Sequence, residues 1–310
     1  MESNLTTRKR NTSNIWRWRD LEIAWNSVGS SQDSKPAIVL IHGFGACKEH
    51  WRHNQPVLGE ATICYAIDLI GFGGSSQPKA RLEGDQPQEG DFIYRFDAWA
   101  AQVTEFCQEV IKQPVILIGN SIGGVIALRS SQFLKNNCCS VVLIDCAQRF
   151  MDDKRLSEQS RWLQWSRPLL KNLVKQRWLS ESLFRNASNT TVIKRVLEQA
   201  YPSGVNVDKN LMELLQTPSQ RIGAQEAFRG FINLFDDHLA PHLLKDLHTP
   251  VDLIWGEQDP WEPLEEAKRW AKTFECIRSL EIIPGVGHCP HDEAPEHVNQ
   301  ILLRLIQQTT

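Results

Sequence analysis

Val115-Ile116-Leu117-Ile118-Gly119-Asn120-Ser121-Ile122-Gly123-Gly124-Val125 is the stretch whose reading decides the fold. Its first four residues are a short apolar run that suits a buried strand. The glycines punctuate it, and Gly124, Val125 and Ala127 open a helical pattern. A G-x-S-x-G placed between a strand and a helix is a sharp turn that holds its central residue in a strained backbone conformation. Only small residues fit two positions to either side, and Gly119 and Gly123 occupy both. Ser121 is thereby presented at a strand tip as a candidate nucleophile. The pattern alone is also that of a glycine-rich turn; the flanking strand and helix favour the catalytic reading.

Working outward, the apolar run Ala37 to Ile41 leads into His42-Gly43-Phe44-Gly45-Ala46, a glycine-bearing loop at a strand's C-terminal end. Further buried strands are read at Ile63 to Ile67, Val141 to Ile144, Val251 to Trp255 and Ile277 to Ile283. Helices are read at Arg95 to Lys112 and His297 to Ile306, and an antiparallel strand pair over Trp16 to Val28. Strands alternating with helices predict an α/β fold with a mostly parallel central sheet and helices on both faces. The interval from Ala147 to about His238 has helical periodicity broken at Pro168, Pro202 and Pro218. It is far longer than an ordinary crossover. We therefore expect a flexible leader at 1–14, an α/β core at 15–146 and 239–310, and an inserted helical cap at 147–238.

The chain of 310 residues, 41% hydrophobic, can bury such a core and an appended piece. Its net charge of -3 points to neither nucleic acid nor an acidic partner. The eight cysteines form no C-x-x-C pair and several sit in apolar runs, so they read as reduced core thiols. Neither metal-ligand spacing nor a cofactor motif is present, and none is expected to be needed. Met1 to Arg19 lacks the apolar centre of a secretory signal, and no run approaches the roughly 20 apolar residues of a membrane span. A cytoplasmic or peripheral protein is expected.

A serine hydroxyl is a poor nucleophile at neutral pH and needs a base, which in turn needs a group to fix its tautomer. Two strand ends offer them. Gly256-Glu257-Gln258-Asp259-Pro260 follows Val251 to Trp255, and Pro284-Gly285-Val286-Gly287-His288 follows the last strand. Asp259 is the candidate acid, with Glu257 and Asp145 as rivals, and His288 the candidate base. His42 also follows a strand end, and His291 lies close to His288. Acyl transfer further requires oxyanion donors, for which the backbone N–H groups of Ile122 and Phe44 are the candidates.

With those residues in hand, the chain resembles the α/β-hydrolase superfamily. HGFG, DLIGFGGS, GNSIGG, WGEQDP and GHCPHDE occur in the expected order, as do serine, acid and histidine. Within it, Gly119 to Gly124, Asp259-Pro260-Trp261 and Gly287 to Glu293 resemble the pheophytinase and chlorophyll dephytylase group of photosynthetic organisms. That resemblance implies a Ser121, His288, Asp259 triad cleaving the phytyl ester of a chlorophyll-type pigment, at or near a thylakoid membrane. Haloalkane dehalogenases need a carboxylate where this chain has Ser121. Another apolar ester, a C–C bond, or pigment binding with little turnover remain alternative functions.

The cap segment Arg161 to Trp178 holds five basic residues, no acid and three Trp, with apolar residues at 162, 165, 169 and 173. Trp162, Trp165 and Leu169 are accordingly expected either to cover the substrate pocket or to meet anionic lipid.

Overall fold

The computed structural model describes residues 13–32 and 35–309. The bulk of the leader, residues 1–12, lies outside them, and Asn14 already belongs to the first strand. Eight strands, β1 (Asn14–Trp18), β2 (Leu21–Val28), β3 (Ala37–Ile41), β4 (Cys64–Ile67), β5 (Val115–Asn120), β6 (Cys138–Ile144), β7 (Val251–Gly256) and β8 (Ile277–Ile283), form one sheet. Its order is β1-β2-β4-β3-β5-β6-β7-β8. Strands β1 and β2 are antiparallel to their neighbours and every other pair is parallel.

The apolar runs behave as parallel strands covered on both faces must. Along β3, β5 and β6, Val39, Leu117 and Leu143 belong to one core cluster, and Ile38, Leu40, Ile116, Ile118 and Val142 to the other. The first face is covered by α2 (Phe96–Phe106) and α3 (Ile122–Leu134), the second by α1 (Gln55–Ala61) and α12 (Pro295–Gln307). The helix read at Arg95 to Lys112 is α2 followed by a π-helical turn, Cys107–Ile111, that ends at left-handed Lys112.

Between β6 and β7 the chain forms α4 (Arg161–Lys175), α5 (Arg177–Ala187), α6 (Thr190–Ala200), α7 (Lys209–Ser219), α8 (Ala224–Ile232) and the short α9 (Ala240–Leu244). Helix α10 (Leu264–Thr273) joins β7 to β8, and the single turn α11 (Pro290–Glu293) precedes α12. Two of the expected breaks are absent, because Pro168 lies inside α4 and Pro218 inside α7. Pro168 is exposed, so the carbonyl it leaves without a donor can be met by water, and Pro218 falls in the last turn. Pro202 follows α6 after one intervening residue, Tyr201. Among the described residues no helix is long and apolar enough to cross a membrane. All eight cysteines are free.

Candidate active site

Ser121 sits between β5 and α3 with φ 54° and ψ -121°. Such a conformation costs a non-glycine residue about 1–3 kcal/mol and persists only where its surroundings enforce it. They do. A Cβ on Gly119 would lie 2.2 Å from the Gly123 carbonyl oxygen, and one on Gly123 would lie 2.3 Å from that of Ile41. The Ser121 N–H donates to Ile144 (3.0 Å), its carbonyl accepts from Gly124 and Ala147, and the Asn120 amide donates to the carbonyls of Ile144 (3.2 Å) and His288 (3.1 Å). Asn120 therefore ties the serine turn to the histidine loop.

The loop after β3 runs alongside. A Cβ on Gly43 would fall 3.2 Å from that of Ser121, so a larger residue there would crowd the hydroxyl. His42 holds this loop and is not the base. Its Nε2 accepts from the Leu69 N–H (3.1 Å), which leaves Nδ1–H to donate to Gly43 O (2.7 Å). Burial lowers its pKa and keeps the ring neutral. Ile122 is the first residue of α3, so its N–H has no acceptor within the helix, and the positive end of the helix dipole lies there. Phe44 and Ile122 both line the cavity beside Ser121.

Of the rival carboxylates, only Asp259 meets His288. Asp259 Oδ2 lies 2.7 Å from His288 Nδ1, while Oδ1 accepts from the N–H groups of Trp261 (2.8 Å) and Glu262 (3.1 Å). Burial would raise the Asp259 carboxyl, but the hydrogen bond and charge of His288 hold it below its ordinary value. With the imidazole proton fixed on Nδ1, Nε2 is left as the acceptor. Glu257 is exposed and accepts from Gly285 N–H (3.2 Å). Asp145 is fully buried at φ 43°, accepts from Gly256 N–H (3.0 Å) and hydrogen-bonds to Asp259. Burial and the neighbouring Asp259 charge push its carboxyl well above the usual range, so it is a neutral acid beneath an ionised one. Trp261 caps His288 edge-on, with ring centroids 4.8 Å apart.

His291 is also buried and neutral, because burial drives its pKa well down. It belongs to a polar chain whose His50 and Tyr201 reach the cavity wall. Tyr201 donates to Asp292 Oδ2 (3.0 Å), so His50 Nε2–H donates to Tyr201 (2.8 Å), and His50 Nδ1 faces His291 Nε2 at 3.4 Å. Arg52 closes the chain by binding Asp292 (2.8 Å) and Asp208 (2.9 Å).

Ser121 and His288 line a cavity of about 530 Å³. Its wall is largely aromatic and aliphatic: Phe44, Phe72, Phe184, Phe228, Phe231 and Trp261. Phe44 stacks on Phe231 at 4.1 Å, which joins the loop after β3 to α8. Trp162, Trp165 and Leu169 do not line it; they are 70%, 80% and 63% exposed, and the pocket role expected of them is corrected. The part of the inserted segment over Ser121 comes instead from α5, α6, α7 and α8. Their phenylalanines sit among polar residues, and only the i, i+3 spacing of Phe228 and Phe231 hints at one face. Glu262 also lines the cavity, its Oε2 accepting from Gln148 N–H (2.7 Å), and burial pushes its carboxyl up to about 8.

Among the described residues one cluster has the donor atoms of a metal site, Cys47, Glu49 and Asp68. The Lys48 ammonium already pairs with Glu49 (2.6 Å) and Asp68 (3.0 Å), which supplies the positive charge an ion would bring.

Comparison with known proteins agrees with the fold. Pheophytinase, chloroplastic, of Arabidopsis thaliana is 27% identical over 97% of this chain and 67% of its own. A (lyso)-N-acylphosphatidylethanolamine lipase of Homo sapiens is 28% identical over 89% of this chain and 80% of its own. Among solved structures, a serine hydrolase involved in carbazole degradation superposes with a TM-score of 0.73 at 17% identity, covering 96% of this chain and 99% of that one. The profile of the Alpha/beta hydrolase family matches residues 38–300, and the chain belongs to that family.

Proposed function

We propose that the protein is a serine carboxylic-ester hydrolase that releases phytol from chlorophyll or a related phytylated tetrapyrrole. The observation that carries this reading is the pairing of Ser121 and His288 with one large, hydrocarbon-lined cavity. Cavities of this size take ligands of drug size or long acyl and prenyl chains. The relationship to a pheophytinase supports the phytyl ester in particular.

In this mechanism Ser121 Oγ adds to the ester carbonyl as its proton passes to His288 Nε2. Asp259 stabilises the imidazolium through Nδ1. The negative oxygen is received by the N–H groups of Phe44 and Ile122. Collapse expels the alcohol, which takes the proton from Nε2. Water then attacks the acyl-serine with the same base, and the acid departs. The carboxyl of Glu262, neutral at ordinary pH, adds no charge to the wall that receives the hydrocarbon.

Incubation with chlorophyll, with pheophytin and with short p-nitrophenyl esters, beside Ser121→Ala, tests the reading. Phytol release that disappears in Ser121→Ala is the expected result. Cleavage of short esters with the pigments left intact would retire the substrate and keep the esterase. Product mass separates ester cleavage from cleavage of a C–C bond.

A further inference from the structure

Helix α4 presents an apolar stripe to solvent. Trp162, Trp165, Leu169 and Leu173 recur at i, i+3, i+7 and i+11, which is one face, and that face is the exposed one. The covered side carries Arg167 and Lys171 beside the half-buried Leu163, Leu170 and Val174. Arg167 is 3% exposed, its Nε bonded to Asp153 Oδ1 at 3.1 Å and its guanidinium 4.6 Å from the centre of the Phe235 ring. Lys171 pairs with the same Asp153. The ion pairs and the cation–π contact fix the helix's rotation, so the apolar stripe is held outward by the rest of the protein.

The charges around the stripe have one sign. Arg167 and Lys171 share the single carboxylate of Asp153, and Arg177 pairs with Glu226 (2.6 Å). Arg161 and Lys175, at the two ends of α4, are exposed and make no ion pair among the described residues. No acid lies between them in sequence. Tryptophan flanked by basic residues on an apolar face about 17 Å long is the composition of an interfacial helix. A second copy of the chain fits less well, because two such helices paired about a two-fold axis would set like charges against each other at both ends. Helix α5, which follows, carries exposed Trp178 and, farther along, Phe184 of the cavity wall.

We propose that the exposed face of α4 docks on bilayers containing anionic lipid. Trp162, Trp165, Leu169 and Leu173 enter the boundary between headgroups and acyl chains, while Arg161 and Lys175 pair with lipid phosphates. The docking does not depend on which ester is cleaved, and its test does not use turnover.

The full chain is floated with vesicles of phosphatidylcholine alone and of phosphatidylcholine mixed with phosphatidylglycerol. Binding to the mixed vesicles is expected, weakened at least about tenfold by Trp162→Ser combined with Trp165→Ser. Arg161→Gln and Lys175→Gln are each expected to weaken it about fivefold. Unchanged thermal melts show that these surface variants fold. The proposal is overturned if the wild-type chain does not float with the mixed vesicles, or if the double tryptophan variant floats equally well. It is likewise overturned if sedimentation reveals a dimer that the tryptophan variant dissociates.

Discussion

The carboxyl of Asp145, at the tip of β6, hydrogen-bonds to the carboxylate of Asp259, beyond the tip of β7, one neutral and the other ionised in one buried space. A single proton between them lets both stay out of water. Asp259 gains a donor that water would otherwise supply, and Asp145 remains neutral.

Asp145→Asn keeps an oxygen for Gly256 N–H and an N–H for Asp259, so kcat/KM is expected to stay within about threefold of wild type. Asp145→Ala removes both, and a lost buried hydrogen bond to a charged group of about 1.5–3 kcal/mol predicts a fall of about 10- to 100-fold. Without that donor the ionised form of Asp259 is less stable, so the acidic limb of the kcat/KM profile moves to higher pH. A profile that Asp145→Ala leaves unmoved would assign Asp145 a packing role only.

Ser121→Ala is expected to lower turnover by roughly 10⁴-fold or more, with the fold intact. Ser121→Gly should do the same while raising the melting temperature. Glycine occupies φ 54° without the strain a side chain imposes, worth about 1–3 kcal/mol. Calorimetry of the wild type and the two variants checks this, and a glycine variant no more stable than the alanine one would show that the turn is unstrained.

Glu262 gives a pH signature in stability. Its carboxyl is near 4.5 when unfolded and about 8 when folded, so the folded state holds the proton more tightly. The group favours the fold below pH 4.5, and this contribution is lost as pH rises toward about 8, where the buried carboxylate must form. Glu262→Gln keeps the acceptor for Gln148 N–H without the charge. Its melting temperature relative to wild type is therefore expected to rise across that interval, and a constant difference would contradict the assignment.

Tyr201→Phe removes a hydroxyl that donates to Asp292 and accepts from His50. His50, held neutral because burial pushes it down to about 4, keeps an N–H with no partner. A loss of about 1–3 kcal/mol is expected, read as a lower denaturation midpoint at unchanged slope. The phenyl ring of the variant can retain the packing, so a near-zero effect would mean that water replaces the hydroxyl.

The α/β core can be read from the chain because β3 to β7 are buried almost throughout and appear as largely apolar runs, and because β3, β5, β7 and the half-exposed edge strand β8 end in glycine loops. Those loops hold Ser121, Phe44, Asp259 and His288, and short-range sequence therefore places them. The cavity wall cannot be read that way. Phe184, Phe228 and Phe231 come from separate helices whose packing is tertiary, and their apolar faces are short. Helix α4 resists for the opposite reason: its periodicity is strong, but a period does not tell which side faces the protein. Asp145 competes for the role of acid on its strand-tip position, and only its placement beneath Asp259 separates a neutral neighbour from the partner of His288.

The contact between Ala200 and His288 has a mechanical consequence. The carbonyl that ends α6 accepts the backbone N–H of His288 at 2.9 Å, and Ser203, just beyond, donates to Glu293, which also receives Gly287 N–H. The wall that α6 gives to the cavity and the loop that carries His288 are thus tied to each other. Any displacement of α6 would therefore have to break the Ala200–His288 bond or carry the His288 backbone with it.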